Sequence, residues 1–262
     1  MLIPHKTALI KGKFLARYDR FIARIALGNQ EVDAHCVNTG RMEGLIRPGS
    51  RAWVSKVPDD SPRKLRYTLE LLEIDGVIIG VNSILPNRLA EAVVQARLIK
   101  GMKRYRSLSR EVAYGNRSRI DLLLEGRNWR HWVEVKNCHL VYPDGGAYFP
   151  DSVSKRATEH LETLASKVQQ GDKASVLFVV QRRDGEFVRP SALHDPAFAK
   201  SAADARKQGV QFQALQFDPG IQGYSYLGTL PVDTRPYPPE DISDFRDAYV
   251  DSSGWTRRGK VS

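Results

Sequence analysis

Three charged residues lie within two short apolar segments and have the types needed for metal-assisted hydrolysis. Asp121 is in the run 118–124, and Glu134 and Lys136 are in the run 131–137. Valine, leucine, isoleucine and tryptophan around them favour strands, and Gly126 and Asn128 mark a turn between the two runs. Buried charges are almost always paired or bound to metal. Two carboxylates and a lysine on such a hairpin can hold a divalent cation and activate a water beside it.

The spacing of these residues is more informative than any one of them. Glu134 and Lys136 are two positions apart, so their side chains point to the same face of a strand. A lone Glu-x-Lys triplet is common by chance. The segment has the form of the PD-(D/E)xK nuclease hairpin, which is an aspartate, a turn-containing gap and then Glu-x-Lys, all in apolar surroundings. The alternative interpretation is an ion pair at a strand end, between Glu134 and Lys136 or Asp121.

The predicted chemistry assigns a role to each residue. Oxygen ligands from Asp121 and Glu134 suit Mg²⁺ or Mn²⁺, with water and phosphate completing an octahedral shell. Lys136 would orient or help deprotonate the attacking water, or stabilise the developing charge. The histidines and the two cysteines show no zinc spacing.

Composition favours an anionic partner. The 262 residues carry a net charge of +10 and the pI is about 9.6, which suits nucleic acid. No apolar stretch is long enough to span a bilayer, and lysines interrupt the first thirteen residues where a signal peptide would be apolar. We therefore expect a cytoplasmic protein with two ordinary thiols, Cys36 and Cys138.

Residues 1–83 read as a small barrel. Five or six short strands rich in β-branched and aromatic residues alternate with turn signals such as Asn38-Thr-Gly40 and Arg47-Pro-Gly49. This number of short strands in one compact segment is typical of an OB-like β-barrel.

Residues 84–232 read as a mixed sheet flanked by helices, an α/β arrangement. The predicted order is a helix over 85–100, the hairpin, a helix from Ser152 or Ser154 to about Gln170, a doubly buried strand at 174–181, a helix over 196–208 and a strand over 210–217. The tail 233–262 lacks an apolar period and is expected to be partly disordered.

Basic residues cluster before the hairpin and at the start of the following helix. Lysine and arginine reach phosphates, and interleaved tyrosines can stack on bases. A solvated basic loop is the alternative. The residues predicted to bind nucleic acid are Lys103, Arg104, Arg106, Arg117, Arg119, Lys155 and Arg156.

Motifs spread over residues 12–232 resemble the sugar fermentation stimulation protein A (SfsA) family. The resemblance implies an OB-like barrel followed by a PD-(D/E)xK nuclease-like domain with DNA as ligand. It also suggests the Val135 carbonyl as a further metal ligand. Glu111, which we expect on a helix, resembles the accessory acid of such domains. The alternative is that Glu111 is an acid on the helix surface without a role in the site. The motifs start at Tyr18 (Tyr-Asp-Arg-Phe), His35 (His-Cys-Val-Asn-Thr-Gly-Arg-Met), Val81 (Val-Asn-Ser-Ile-Leu-Pro-Asn-Arg-Leu), Glu111 (Glu-Val-Ala-Tyr-Gly), Ser118 (Ser-Arg-Ile-Asp), Glu134 (Glu-Val-Lys-Asn), Tyr148 (Tyr-Phe-Pro-Asp) and Leu230 (Leu-Pro-Val).

Two functions remain open on the sequence. One is a metal-dependent DNA nuclease, favoured by the intact Asp121, Glu134 and Lys136. The other is a non-catalytic, regulatory DNA-binding protein that affects sugar metabolism. Single-stranded and duplex DNA, and monomer and dimer, are equally compatible with the residues.

Overall fold

The computed structural model describes residues 1–114 and 118–258. Its first part is a closed barrel in which the parallel pairs Ala34–Tyr67 and His35–Thr68 join the third barrel strand to the fifth. This connectivity is that of an OB barrel, as predicted. A short first strand, β1 (Leu2–Pro4), precedes it, and the barrel sheet consists of β2 (Leu9–Tyr18), β3 (Ile22–Leu27), β4 (Gln30–His35), β5 (Arg51–Lys56), β6 (Tyr67–Ile74) and β7 (Val77–Gly80).

The second part is a seven-stranded mixed sheet with helices on both faces, which confirms the predicted fold class. Its elements are α1 (Leu85–Gln95), β8 (Ser107–Tyr114), β9 (Ser118–Glu125), β10 (Arg130–Cys138), β11 (Leu140–Val141), β12 (Gly146–Phe149), α2 (Lys155–Gln169), β13 (Lys173–Val180), β14 (Phe187–Pro190), α3 (Pro196–Lys207), β15 (Gln211–Gly220) and β16 (Gly223–Leu230). The strand order of the large sheet is β1-β16-β15-β13-β10-β9-β8, and β10, β13 and β15 run parallel. A separate small sheet has the order β11-β12-β14.

The central strand β13 is buried on both faces, as its apolar run predicts. Phe178 packs in the core under α2 and α3, whereas Leu177 and Val179 pack in the core under α1. The helix α1 is shorter than predicted and ends at Gln95, because Arg97 adopts a left-handed φ of 61° and terminates the turn. No helix among the described residues is long and apolar enough to cross a membrane.

Two expectations about the chain ends need correction. The strand β1 does not belong with the barrel: it pairs with β16, because the large sheet has an open edge there and the barrel is closed. The second is the tail, whose described residues contain regular structure. It forms a 3₁₀ turn (Pro239–Ile242), α4 (Ser243–Ala248) and a second 3₁₀ turn (Val250–Ser252).

The tail is ordered because it buries aromatic surface on one domain and bonds to the backbone of the other. Ile242, 2% exposed, packs with Tyr142 and Tyr148 of the second domain. Further along, the Gly254 amide donates to the Arg41 carbonyl at 2.7 Å, and Trp255 lies over the Arg20 guanidinium. The tail therefore connects the second domain to the barrel.

We expect Ile242→Ala to lower the free energy of unfolding by about 2–3 kcal/mol, the cost of deleting a buried aliphatic side chain. Urea denaturation measures it. Val250→Ala is the matched control, since Val250 is 58% exposed on the same tail. Equal stability of the Ile242→Ala variant and the wild-type protein would mean that the tail does not pack in solution as it does here.

Candidate metal centre

The hairpin β9–β10 opens at the point where the charged residues begin. Its antiparallel pairs run from Arg130–Glu125 to Val133–Leu122 and then stop. Asp121 and Glu134 would form the next pair in this register. Because the strands separate there, the two carboxylates lie beside a gap in the sheet, while β13 still supports β10 on its other edge.

Asp121 is held by two hydrogen bonds. Its Oδ2 accepts from the Val135 amide at 2.7 Å, and its Oδ1 accepts from Nδ2 of Asn87 on α1 at 2.7 Å. Burial, and then the nearby Glu134 carboxylate, raise the pKa of Asp121 from 3.8 to about 6, although both hydrogen bonds act the other way. The ionised carboxylate is thus in an unfavourable environment that a bound cation would relieve.

Glu134 is the most deeply buried charge of the site, with 3% of its surface exposed. Its Oε1 accepts from Lys136 Nζ at 2.6 Å and from the Nδ1 atom of His160. Burial alone would raise the pKa of Glu134, but His160 and Lys136 outweigh it and the pKa is lowered. The carboxylate is therefore ionised at neutral pH, yet its buried Oε2 has no hydrogen-bond partner.

The Val135 carbonyl is oriented toward the same gap. In a strand, the amide and carbonyl of one residue point to the same side. Since the Val135 amide donates to Asp121, its carbonyl also faces the side of β9, where the ladder has already ended. The geometry is therefore compatible with Val135 as a third oxygen donor.

The ion pair that the sequence left as an alternative does form, but it accounts for only half of the carboxylate. Lys136 satisfies Oε1 of Glu134 and leaves Oε2 bare, and Asp121 gains no salt bridge among the described residues. A buried acceptor without a hydrogen bond costs about 1–3 kcal/mol. The ion pair with Lys136 does not offset this cost at Oε2, whereas a cation bound there would.

The donor set fits a hard, partly hydrated cation. No group of three or more His, Cys, Asp or Glu residues suited to a metal occurs within 1–114 and 118–258. Two carboxylates and one carbonyl remain, which is too few for a protein-only cage. Magnesium-type sites use one or two carboxylates and complete the shell with water and phosphate.

Glu111 is not on a helix. It lies on β8 with a left-handed φ of 50°, its side chain is exposed, and Arg119 donates to its carbonyl at 3.1 Å. The prediction of a helix at Glu111 failed because this left-handed residue interrupts the alternation of inward and outward side chains by which a strand is recognised in a sequence. The acid on the preceding helix is Glu91, 6% exposed and one turn after Asn87. The i, i+4 spacing of Asn87 and Glu91 in the predicted helix was the available signal.

Two residues of the site were missed by the sequence analysis. His160, on α2, accepts from Arg156 at Nε2 (3.3 Å), so its Nδ1 carries the proton that is donated to Glu134. Tyr114 stacks against Trp132, and its buried hydroxyl has no partner. Burial first, then Glu134 and Asp121, raise the pKa of Tyr114. His160 is far from the hairpin in sequence, and although Tyr114 closely precedes it, only the packing of α2 and β8 on β10 shows that both side chains face the site.

The structure divides the predicted basic cluster. Lys155 and Arg156 are exposed in the first turn of α2, which Ser154 caps as predicted, and Arg156 contacts His160. Arg119 is two residues from Asp121 on β9, whereas Arg117 lies outside the described residues.

Lys103, Arg104 and Arg106 lie at the other end of the sheet. The Arg106 amide donates to the Glu125 carbonyl, opposite the start of β10, about 13 Å along the strand from Glu134. These three residues therefore lie too far along the strand to contact the same phosphate as Asp121.

An OB barrel followed by a mixed sheet with a paired-carboxylate centre defines the class of this protein. Residues 84–223 match the model of the "Sugar fermentation stimulation protein RE domain", and residues 15–81 match the "SfsA N-terminal OB domain". The chain belongs to the sugar fermentation stimulation protein (SfsA) family.

Individual relatives agree with this assignment. The sugar fermentation stimulation protein homolog of Maricaulis maris is 47% identical over 210 residues, 79% of this chain and 89% of the relative. The homolog of Caulobacter vibrioides is 42% identical over 224 residues, 85% and 92% of the two chains. The structure of Pyrococcus furiosus SfsA in complex with Ca²⁺ has a TM-score of 0.80 and 26% identity, covering 88% of this chain and 98% of that one.

We expect Asp121→Asn to stabilise the metal-free protein at neutral pH. Below about pH 4 the carboxyl is protonated in both the folded and unfolded states, so wild type and variant should be similar. Between pH 4 and 6 the unfolded state ionises first, and the wild type should lose up to about 3 kcal/mol relative to the variant. Urea denaturation in EDTA across this range measures the difference.

The wild type and Asp121→Asn also test whether a cation binds at this site. Added Ca²⁺ should raise the melting temperature of the wild type at pH 7 and leave Asp121→Asn unchanged, because the variant lacks the charged ligand. An equal response of both proteins would show that Ca²⁺ acts elsewhere.

Proposed function

We propose that this protein is a DNA-binding protein that cleaves phosphodiester bonds with a divalent cation held by Asp121 and Glu134. The observation that carries the proposal is the buried, ionised Glu134, whose Oε2 has no partner and lies beside an Asp121 with a raised pKa. Strongly perturbed carboxylates beside an opening in a sheet are typical of catalytic sites. The domain around them is, on this proposal, a PD-(D/E)xK nuclease domain.

The proposed cation is Mg²⁺ or Mn²⁺ during cleavage. The Ca²⁺ complex of the Pyrococcus furiosus protein supports divalent binding at this fold, and the ligands available here are all oxygens. Such a cation would neutralise charge on the transferring phosphoryl group and lower the pKa of a bound water. Asp121, Glu134 and the Val135 carbonyl would hold it.

The surrounding residues position these groups. His160 and Lys136 both bond Oε1 of Glu134, which leaves Oε2 as its free atom. Asn87 fixes Asp121 from α1. Lys136 is 2.6 Å from the carboxylate, so its ammonium is placed to orient the water or to stabilise the developing negative charge. Glu91, the acid that the preceding helix does carry, is paired with Arg110 at 2.6 Å.

The net charge of +10 supports DNA as the partner. Lys136 contacts Glu134 directly. The exposed cations around the site are Arg119, two residues from Asp121, and Lys155 and Arg156 at the start of α2, and we assign these three to phosphates. Lys103, Arg104 and Arg106 would contact the same DNA farther along.

Regulatory DNA binding without cleavage is the second candidate function. It is favoured by the absence of a third acidic or histidine ligand beside Asp121 and Glu134 in the described part of the chain. On this alternative the cation would help to bind phosphate only.

Cleavage of labelled single-stranded, duplex and branched DNA with Mg²⁺ or Mn²⁺ distinguishes the two functions. We expect the wild type to cleave at least one substrate, Asp121→Ala to lose at least about 10³-fold in rate through loss of the cation, and Lys136→Ala to lose about 10²-fold or more. DNA binding of both variants should stay within a few-fold of wild type.

The control is Lys200→Ala, an exposed lysine on α3 paired only with Asp204; its rate should match wild type. Cleavage that survives Asp121→Ala would come from a contaminant and would remove the nuclease assignment. Salt-sensitive binding without cleavage of any substrate would establish the second function.

The two basic groups should differ in their effect on binding. Replacing Lys155 and Arg156 by alanine should weaken DNA binding and lower the slope of log K against log salt by about 2, since about one counterion is released per phosphate contact. The Lys103→Ala, Arg104→Ala double variant should show a similar slope change for long DNA and none for an oligonucleotide too short to span the roughly 13 Å between the groups. Fluorescence anisotropy over a salt series measures both. Equal effects of the two double variants on the short oligonucleotide would contradict the placement.

A further inference from the structure

A polar cavity between the barrel and the second domain is not used by the metal centre. It has a volume of about 320 Å³ and is lined, among others, by Asn38, Thr39, Ser83, Asn137, His139 and Asp151; we call it the interdomain cavity. Three stretches that carry the family resemblance meet here: the segment His35–Met42 of the barrel, the segment Val81–Leu89 after it, and the segment Tyr148–Asp151 of the second domain. Their convergence on one cavity needs an explanation beyond domain packing.

Part of the cavity wall is a network of uncharged polar groups. The buried Asn38 places its amide nitrogen 3.4 Å from His139 Nε2, and its Oδ1 accepts from the Gly40 amide at 2.9 Å. Asn137 lies 3.2 Å from His139 Nδ1 and is itself held by Gln181 at 2.7 Å. Each side chain is thus oriented before any ligand arrives.

The approach of the two domains depends on a glycine. A Cβ at Gly40 would lie 2.3 Å from Oδ2 of Asp151, so any other residue would displace this carboxylate from the barrel turn. The Met42 amide lies 3.4 Å from the same Oδ2. Asp151 therefore stays at the cavity as a hydrogen-bond acceptor, with Arg20 at the rim as the lining cation.

The chemistry of this wall suits a nucleobase rather than a phosphate. Amide, hydroxyl and carboxylate groups together offer donors and acceptors, whereas phosphate sites collect cations. Burial lowers the pKa of His139, so its ring is neutral at pH 7, and its two nitrogens are taken up by Asn38 and Asn137. Each asparagine amide has a second N–H, which together with the Thr39 hydroxyl and the Asp151 carboxylate is available to a base. The volume is at the small end of ligand pockets, roughly 300–1,000 Å³, and would not admit a base pair.

The cavity adjoins the metal centre through two shared elements. Asn137 follows Lys136 directly on β10 and points to the opposite face of the strand, and Ser154, which also lines the cavity, caps the helix that carries Arg156 and His160. A DNA strand with a phosphate at Asp121 and Glu134 would turn around this end of β10 to bring its neighbouring nucleotide to the cavity mouth.

We propose that the interdomain cavity binds the base of one unpaired nucleotide next to the scissile phosphate, so that this protein acts on DNA with an unpaired or extruded nucleotide. This inference rests on the proposed function and adds its substrate class. Extruding or unpairing a base costs a few kcal/mol in a perfect duplex and much less where the base is already unpaired. Selection of the substrate would follow from that difference.

Filling the cavity tests the proposal. Thr39 is exposed, lines the cavity and makes no side-chain hydrogen bond within the described residues, so Thr39→Phe should fold and Thr39→Ser is its matched control. Ser152→Phe fills the cavity from the other domain. Thermal unfolding of each variant confirms that it is folded.

The measurement is the Kd, by fluorescence anisotropy in Ca²⁺, for a fully paired duplex and for the same duplex with one unpaired nucleotide. Wild type and Thr39→Ser should prefer the unpaired form by about tenfold or more. Thr39→Phe and Ser152→Phe should lose this preference and keep the affinity for the paired duplex. Equal wild-type affinities for the two DNAs, or a preference that survives both fillings, would overturn the proposal.

Cleavage of the same two DNAs in Mg²⁺ separates this inference from the proposed function. Cleavage of both at equal rates, with equal affinities, would retain the nuclease and remove the base pocket. A preference in binding that both fillings abolish, without any cleavage, would retain the pocket and remove the nuclease.

Discussion

The burial of the Glu134 carboxylate inside the sheet is the constraint on which the site depends. A buried charge persists only when its oxygens are satisfied, and here Lys136 and His160 satisfy one oxygen and leave the other bare. This pairing of only one Glu134 oxygen depends on three elements. The strand β10 carries Lys136 on the same face as Glu134, α2 brings His160 to Oε1, and β9 separates from β10 at Asp121. Each of these elements is in turn held by the apolar cores on the two sides of the sheet.

The two domains are joined more closely than a linker would require. The first strand belongs to the large sheet, and the last residues return to the barrel after packing on the second domain. Arg17, 2% exposed, donates to the carbonyls of Asn38, Gly40 and Gly254 and so connects the barrel turn with the tail. These hydrogen bonds hold the barrel turn in place against Asp151 and so fix the shape of the interdomain cavity.

The family assignment and the site geometry answer different questions. Membership in the sugar fermentation stimulation protein family identifies the architecture over nearly the whole chain, but function depends on particular groups. The groups seen here are two carboxylates with opposite pKa shifts, one lysine paired to half of a carboxylate, and a polar cavity between the domains. This combination is what a phosphodiester-cleaving site on unpaired DNA would need.

The sequence by itself determined the fold class, the hairpin and the three charges at its centre, because strand periodicity, turn residues and apolar surroundings are local properties. It also located the cap of α2 and the doubly buried strand β13. Tertiary structure alone decided that Glu111 is on a strand, that His160 and Tyr114 join the site, and that Lys103, Arg104 and Arg106 lie away from it. It also decided that the tail packs and that Asn38 meets His139, 101 residues apart. These outcomes depend on which faces of distant elements meet, and the core packing that brings those faces together leaves no pattern within any one segment.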